Sequence, residues 1–336
     1  MSTLSKFAFL ISFFQFVGQL RAQDYQQSQF DALPLNLNPA LIGDRTDEKY
    51  LGVRLTSGYR DQRSNYTSSA DSYKSFLVGL DFSVGERFST GAFFSNTKSP
   101  NNVFNVSNFN YGVSYKMIGS NARSQEKHEL AIGMQLGLLN NSFSTGNFTY
   151  DLQYSSNAPD GFDQTLPSGE NFQSSVKVQF SGNSGINYKA NLYENKLIIN
   201  AGASIYNITK STERFNGVYL PAPLRYNGHF SALYRLDERF TLAPQTLYMY
   251  QTGAHELNIG TLIYYHMNEQ SKVILGANWR KNNAVILQTG LSVSGVTFRL
   301  SYCVGTGYLS TFKNRAVEFS LSYINGKKTF VPRVIN

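Results

Sequence analysis

The side chains of this chain most capable of chemistry are four histidines, at 128, 229, 255 and 266, and a single cysteine, Cys303. A zinc site needs its ligands at short, paired spacings, and these histidines have none. No Gly-x-Ser-x-Gly elbow or phosphate-binding loop occurs, and His266 has no evident nucleophile beside it to activate. A lone Cys303 cannot form an internal disulfide, and no Cys follows the N-terminal apolar run where a lipid would be attached. The expectation is a protein that is not an enzyme and takes no metal and no cofactor.

A second set of residues is charged rather than reactive. Arg54, Arg280, Arg299 and Glu318 each lie in a stretch that alternates apolar and polar side chains. Arginine grips carboxylates with paired hydrogen bonds, so the three arginines can hold a carboxylate or chain terminus of a partner. Arg280, Arg299 and Glu318 can equally form an ion-pair ladder among themselves, which is the plainer use of such side chains. Upstream, Asn38-Pro39-Ala40 stands in a Pro-limited, partly apolar stretch before the first strand. Asn38, Pro39, Ala40, Arg54, Arg280, Arg299 and Glu318 are the expected partner-binding residues.

The elements that position these residues repeat with period two. Val296, Phe298, Leu300 and Tyr302 interleave with Thr297, Arg299, Ser301 and Cys303, and Val317, Phe319, Leu321 and Tyr323 interleave with Ala316, Glu318, Ser320 and Ser322. One face is apolar and the other small or polar, as in a strand lying between two different solvents. No 3.6-residue stripe competes. The pattern predicts strands near 49–60, 73–82, 88–95, 108–117, 129–142, 176–188, 196–206, 229–236, 240–250, 255–266, 273–280, 284–293, 296–303 and 316–323. That even number, about fourteen, lets an antiparallel meander close on itself and lose both edges.

The links alternate too. Those around Gly85, Glu194, Glu238, Glu269 and Ser294 are short, and the intervening set includes 61–72, 96–107, 143–175, 207–228 and 304–315. Outer-membrane barrels have tight periplasmic turns and longer extracellular loops. A soluble β-sandwich also alternates but need not keep this parity. Composition agrees: 15% charged is low for a soluble chain, while 14% aromatic is high and fits rings at the two membrane rims. Arg and Lys facing lipid at mid-membrane cost about 2–4 kcal/mol. The alternation therefore assigns Arg54, Lys74, Asp81, Lys116, Gln135, Asn200, Arg235, Asn278, Arg280, Arg299 and Glu318 to the inner face. Pro244, inside an otherwise good strand, predicts a bulge or bend.

The N-terminus has the form of a signal peptide: Lys6, an apolar run from Phe7 to Val17, and a small residue at Ala22. Removing Lys6 and Arg21 with it leaves a net charge of about +6 in place of +8. No basic block remains to bind nucleic acid. The expected organisation is a signal peptide (1–22), an N-terminal segment (23–48) that plugs the lumen or docks a periplasmic partner, a transmembrane barrel (49–323) and a periplasmic C-terminal tail (324–336). The fold class is all-β, an antiparallel up-and-down transmembrane β-barrel.

The mature start, Gln23-Asp24 followed by Ser28-Gln29-Phe30 and Asn38-Pro39-Ala40-Leu41-Ile42-Gly43, resembles the opening of the PorP/SprF family of Bacteroidota outer-membrane proteins. Tyr59-Arg60-Asp61-Gln62, Asn183 to Tyr188, Leu242 to Tyr248, Gly276 to Arg280 and Val317 to Tyr323 are similar to its later blocks, so the likeness covers nearly all of the mature chain. Two positions depart from it: Cys303 stands where the family often has Asp, and Ala316 where it often has His. The resemblance implies a barrel of the type IX secretion and gliding motility system. Such a barrel would help deliver or hold at the surface a secreted adhesin-like protein with a type IX C-terminal signal domain, in contact with periplasmic type IX and gliding components and with outer-membrane lipid. The alternative is a passive or selective channel for small solutes.

Overall fold

The computed structural model describes residues 27–44, 52–63, 72–119, 126–143, 148–169, 177–210, 212–215, 218–306 and 315–325. The expected signal peptide and nearly all of the expected C-terminal tail lie outside them. Fourteen antiparallel strands close into one barrel. In chain order they are β1 (Val53–Arg63), β2 (Ser72–Val84), β3 (Phe88–Lys98), β4 (Phe104–Ile118), β5 (Lys127–Phe143), β6 (Lys177–Leu192) and β7 (Leu197–Tyr206). A separate small hairpin, β8 (Thr212–Phe215) and β9 (Val218–Pro221), precedes the second half. That half comprises β10 (Arg225–Arg235), β11 (Phe240–Gln251), β12 (Ala254–Asn268), β13 (Ser271–Arg280), β14 (Ala284–Val293), β15 (Val296–Gly305) and β16 (Arg315–Ile324).

Each strand pairs with its neighbour in sequence, and β1 pairs with β16 to close the wall, with Arg60 opposite Glu318. Closure leaves no unpaired edge. The links at one end are 85–87, 119–126, 193–196, 236–239, 269–270 and 294–295, and those at the other include 64–71, 144–176, 207–224 and 306–314. By the asymmetry of outer-membrane barrels the second end faces outward, so β1 begins at the periplasmic end.

The alternation is expressed as two surfaces. Outside, Leu55, Phe76, Leu136, Phe180, Leu287 and Phe298 are exposed, while between them Thr56, Asp81, Gln135, Ser181, Gln288 and Arg299 are buried toward the lumen. In water this would be an inverted protein, and in a bilayer it is the low-energy arrangement. Replacing Leu287, 56% exposed on the outer wall, with Arg should lower stability in phospholipid vesicles by about 2–4 kcal/mol, measured by urea unfolding. Asn157→Arg in the outer loop should leave it unchanged, and equal effects at the two sites would show that this wall does not face lipid.

Three local expectations need correction. Lys74 is exposed and falls on the outer face with Phe76 and Leu80, opposite Asp61 near the outer rim. The alternation had placed it inside; the true phase runs Ser75, Leu77, Gly79, Asp81. Pro244 makes no bulge. The β10–β11 register is the same before and after it, passing from Ser231 opposite Gln245 to Tyr234 opposite Leu242. The missing N–H of proline removes rungs without adding a residue, and the register shifts fall instead at Lys116/Ile118 and His266/Asn268. The long link expected over 207–228 is shorter, because β10 already begins at Arg225, and it contains the β8–β9 hairpin.

Candidate functional site

Residues 27–44 run inside the barrel. They form a 3-10 turn at Phe30–Ala32, one helical turn at Pro34–Leu37 and a second 3-10 turn at Pro39–Leu41. Proline suits the first position of a helical turn because its absent N–H has no intrahelical acceptor there. Asn38 caps the second of these proline-led turns, its Oδ1 accepting the Ala40 N–H at 2.9 Å. Such a cap stabilises a turn by about 1 kcal/mol. The Asn38-Pro39-Ala40 box is thus a locally encoded turn with its side-chain amide left over. That amide Nδ2 donates to the carbonyl of Ile186 at 2.9 Å and of Ala203 at 3.3 Å, and lies 3.1 Å from His229 Nε2.

The wall is shaped to receive the box. A Cβ at Gly133 would collide with the Pro39 carbonyl and the Ala40 nitrogen, and one at Gly185 with Asn38 Oδ1. Bare backbone at these wall positions is what allows the turn to lie against the strands. Around it, Leu33, Leu35 and Ile42 pack on Leu77 and Phe93, and Phe30, Leu37 and Leu41 pack on Leu247. Apolar burial of this kind is worth about 1.5–3 kcal/mol per large side chain.

Charged side chains of the wall fasten the segment at both ends. Toward the outer end, the two Glu318 oxygens accept the consecutive N–H groups of Ser28 (2.7 Å) and Gln29 (2.9 Å). Arg60 donates to Glu318 at 3.0 Å and to the Ser28 hydroxyl at 2.6 Å. The Gln29 amide bonds Ser301, Ser320 and the Glu318 carbonyl, so its donor and acceptor are both used. Arg280 donates to the Gln27 carbonyl at 3.0 Å and pairs with Glu256 at 2.9 Å. Arg299 holds Asp31 with two nitrogens and reaches Gln288 with one of them at 2.7 Å. Toward the periplasmic end, Asp81 accepts the Gly43 N–H at 2.6 Å and two Arg54 nitrogens at 2.8 Å. Arg54 also donates to the carbonyls of Leu41 (2.7 Å) and Asp44 (3.0 Å), and the Asp44 carboxylate pairs with Lys189 at 2.7 Å.

All seven sequence-expected residues lie along the lumen, as segment or as the wall that holds it, with Glu318 toward one end and Arg54 toward the other. Arg280, Arg299 and Glu318 do not form the anticipated ladder with one another: Arg280 pairs with Glu256, Arg299 with Asp31 and Glu318 with Arg60. The reading of the sequence missed Arg60, Lys189 and Glu256 as partners. Arg60 shares the parity of Arg54, and extending that alternation by three rungs would have found it.

Between the segment and the wall lies a cavity of about 160 Å³, lined by Asp31, Leu37, Asp44, His229 and Gln245 among others. The histidines are dispersed, each beside a different partner: Asn38 for His229, Tyr188 for His128, Tyr248 for His255 and Thr241 for His266. Among the described residues no three His, Cys, Asp or Glu are grouped as metal ligands.

A family model described as "Type IX secretion system membrane protein PorP/SprF" matches residues 19–323. No curated protein matches the sequence. Among solved structures, the chain is similar to the CymD monoaromatic hydrocarbon channel at 12% identity and a TM-score of 0.49, covering 89% of this chain and 93% of that one. It is also similar to the Ralstonia pickettii toluene transporter TbuX, at 10% identity and a TM-score of 0.47, covering 89% of this chain and 94% of the other.

Proposed function

Given that the chain belongs to the PorP/SprF family of type IX secretion system membrane proteins, we propose that it is a non-enzymatic outer-membrane anchor of a Bacteroidota cell. In this reading it assists surface delivery of a secreted adhesin-like protein with a type IX C-terminal signal domain, together with periplasmic type IX and gliding components. The observation that carries the reading is the occupied lumen. Residues 27–44 fill it with packed apolar side chains and with ion pairs at both ends, such as Arg60–Glu318 and Arg54–Asp81. A barrel so filled suits holding a partner at its outer mouth better than passing solutes. Asn38, Pro39, Ala40, Arg54, Arg280, Arg299 and Glu318 then serve the partner through the segment, by keeping the barrel rigid and closed beneath it.

Two measurements test this. Purified barrel in a planar bilayer should show no stepwise ion conductance, and detergent extracts should yield the secreted protein together with the barrel. Sustained open-channel currents from the unmodified protein, with no secreted protein attached, would establish the channel reading instead.

A further inference from the structure

The connection between β5 and β6, residues 144–176, is the longest in the barrel and stands at the outer end. Connections beyond about 12–15 residues with little secondary structure are usually functional or disordered, and the described part of this one, 148–169, is ordered by its own bonds. Gln153, 6% exposed, is the hub: its carbonyl accepts the Asp163 N–H, its Nε2 donates to the Leu166 carbonyl, and its Oε1 accepts the Tyr150 N–H. A β-bridge joins Tyr154 to Phe162, whose rings meet edge to face at 5.9 Å.

What this framework displays is unusual for a free loop. Leu152 and Tyr154 are 69% and 66% exposed, Tyr154 even with its ring edge to face on Phe162. Beside them stand Asp151, Asp160 and Asp163. With Glu170 these are the only charged residues of 144–176, which has no Lys, Arg or His in a chain whose net charge is +8. Thr165 donates both its hydroxyl and its N–H to Asp163, which lowers the Asp163 pKa below the usual carboxylate value and keeps it charged in mildly acidic media.

Exposed apolar patches bordered by polar residues mark interaction surfaces, and complementary charge steers the partner that fits. We propose that the 148–169 loop is a docking knob for a basic, apolar-surfaced segment of the secreted client, with Leu152 and Tyr154 as the apolar contact and Asp151, Asp160 and Asp163 as the surrounding charge. This rests on the anchoring reading above and names the chemistry of the partner's contact.

The test uses the full-length barrel in detergent and two immobilised peptides of equal length, one alternating Lys with Phe and the other Glu with Phe. The unmodified barrel should prefer the basic peptide. The triple variant D151N/D160N/D163N should lose about tenfold or more in affinity for it, and L152S/Y154S should also weaken it. A charge-matched control, E86Q/E238Q/E269Q in the periplasmic turns, should bind as the unmodified barrel does, and heat-modifiable migration on gels verifies that every variant is folded. Equal losses in the loop triple and the control, or no loss in the loop triple, overturn the proposal. In cells, display of the client that persists after deletion of the whole barrel defeats the anchoring reading. Display that needs the barrel but is indifferent to both loop variants defeats the docking inference alone.

Discussion

Glu318→Ala should give a barrel that still closes but no longer holds its segment. Glu318 is 3% exposed, accepts two consecutive backbone N–H groups of the segment and pairs with Arg60, which is equally buried. Removing the carboxylate takes the acceptor from three donors at once. Breaking a buried pair from one side costs about 3–5 kcal/mol, and N–H groups left without acceptors add about 1–3 kcal/mol each unless water reaches them. Water reaches them if Ser28 and Gln29 lift away from β15 and β16, so the outer half of the segment should release. The expected readout is the appearance of ion-conducting openings in a planar bilayer, together with labelling of a cysteine placed at Leu33 in a Cys303→Ser background. The result that sinks this is a variant as silent as its parent with the Leu33 cysteine equally protected. Glu318→Gln should fall between the two, because an amide oxygen still accepts hydrogen bonds but does not neutralise Arg60.

The second large effect is expected from the smallest substitution. Gly133→Ala adds one methyl group to the wall of β5, and that Cβ would overlap the Pro39 carbonyl and the Ala40 nitrogen. Because a Cβ is fixed by its own backbone and the atoms it meets are backbone too, no rotamer change relieves the overlap. Overpacking of a filled interior costs about 1–3 kcal/mol, and this site belongs at the upper end. The turn should move off the wall, losing the bonds from Asn38 Nδ2 to Ile186 and from Ser114 to the Ala40 carbonyl. A cysteine at position 40 should then react with a small thiol reagent much faster than in the parent. Gly228→Ala is the control: it lies in β10, and a Cβ there meets nothing within 4 Å, so reactivity should be unchanged. Comparable protection in both variants would mean that the box does not depend on the bare wall.

These two predictions also show how far the sequence could be read. Period-two alternation is a local property, so each strand was legible from its own residues, as in Val296–Cys303 and Ala316–Tyr323, and the number followed from counting such stretches along the chain. The turn chemistry of Asn38-Pro39-Ala40 is local as well, although the sequence reads there only as a Pro-limited, partly apolar stretch. Where the alternation was ambiguous the reading slipped by one residue, as at Lys74, because a strand end above the membrane no longer has to obey the lipid rule. The partners were not legible. Arg60 and Glu318 are separated by almost the whole barrel sequence and meet only because β1 closes on β16. Asp31 reaches Arg299 only because the segment turns into the lumen.

The sequence by itself determined a closed wall with an apolar outside, a polar inside and a capped turn ahead of it, since each follows from side-chain periodicity or from proline and asparagine acting within a few residues. Only the tertiary structure decided what the inward charges do. Ionised groups buried away from water must be paired, and which group pairs with which depends on strand register, barrel closure and the path of residues 27–44. None of these is written in any short stretch of the chain.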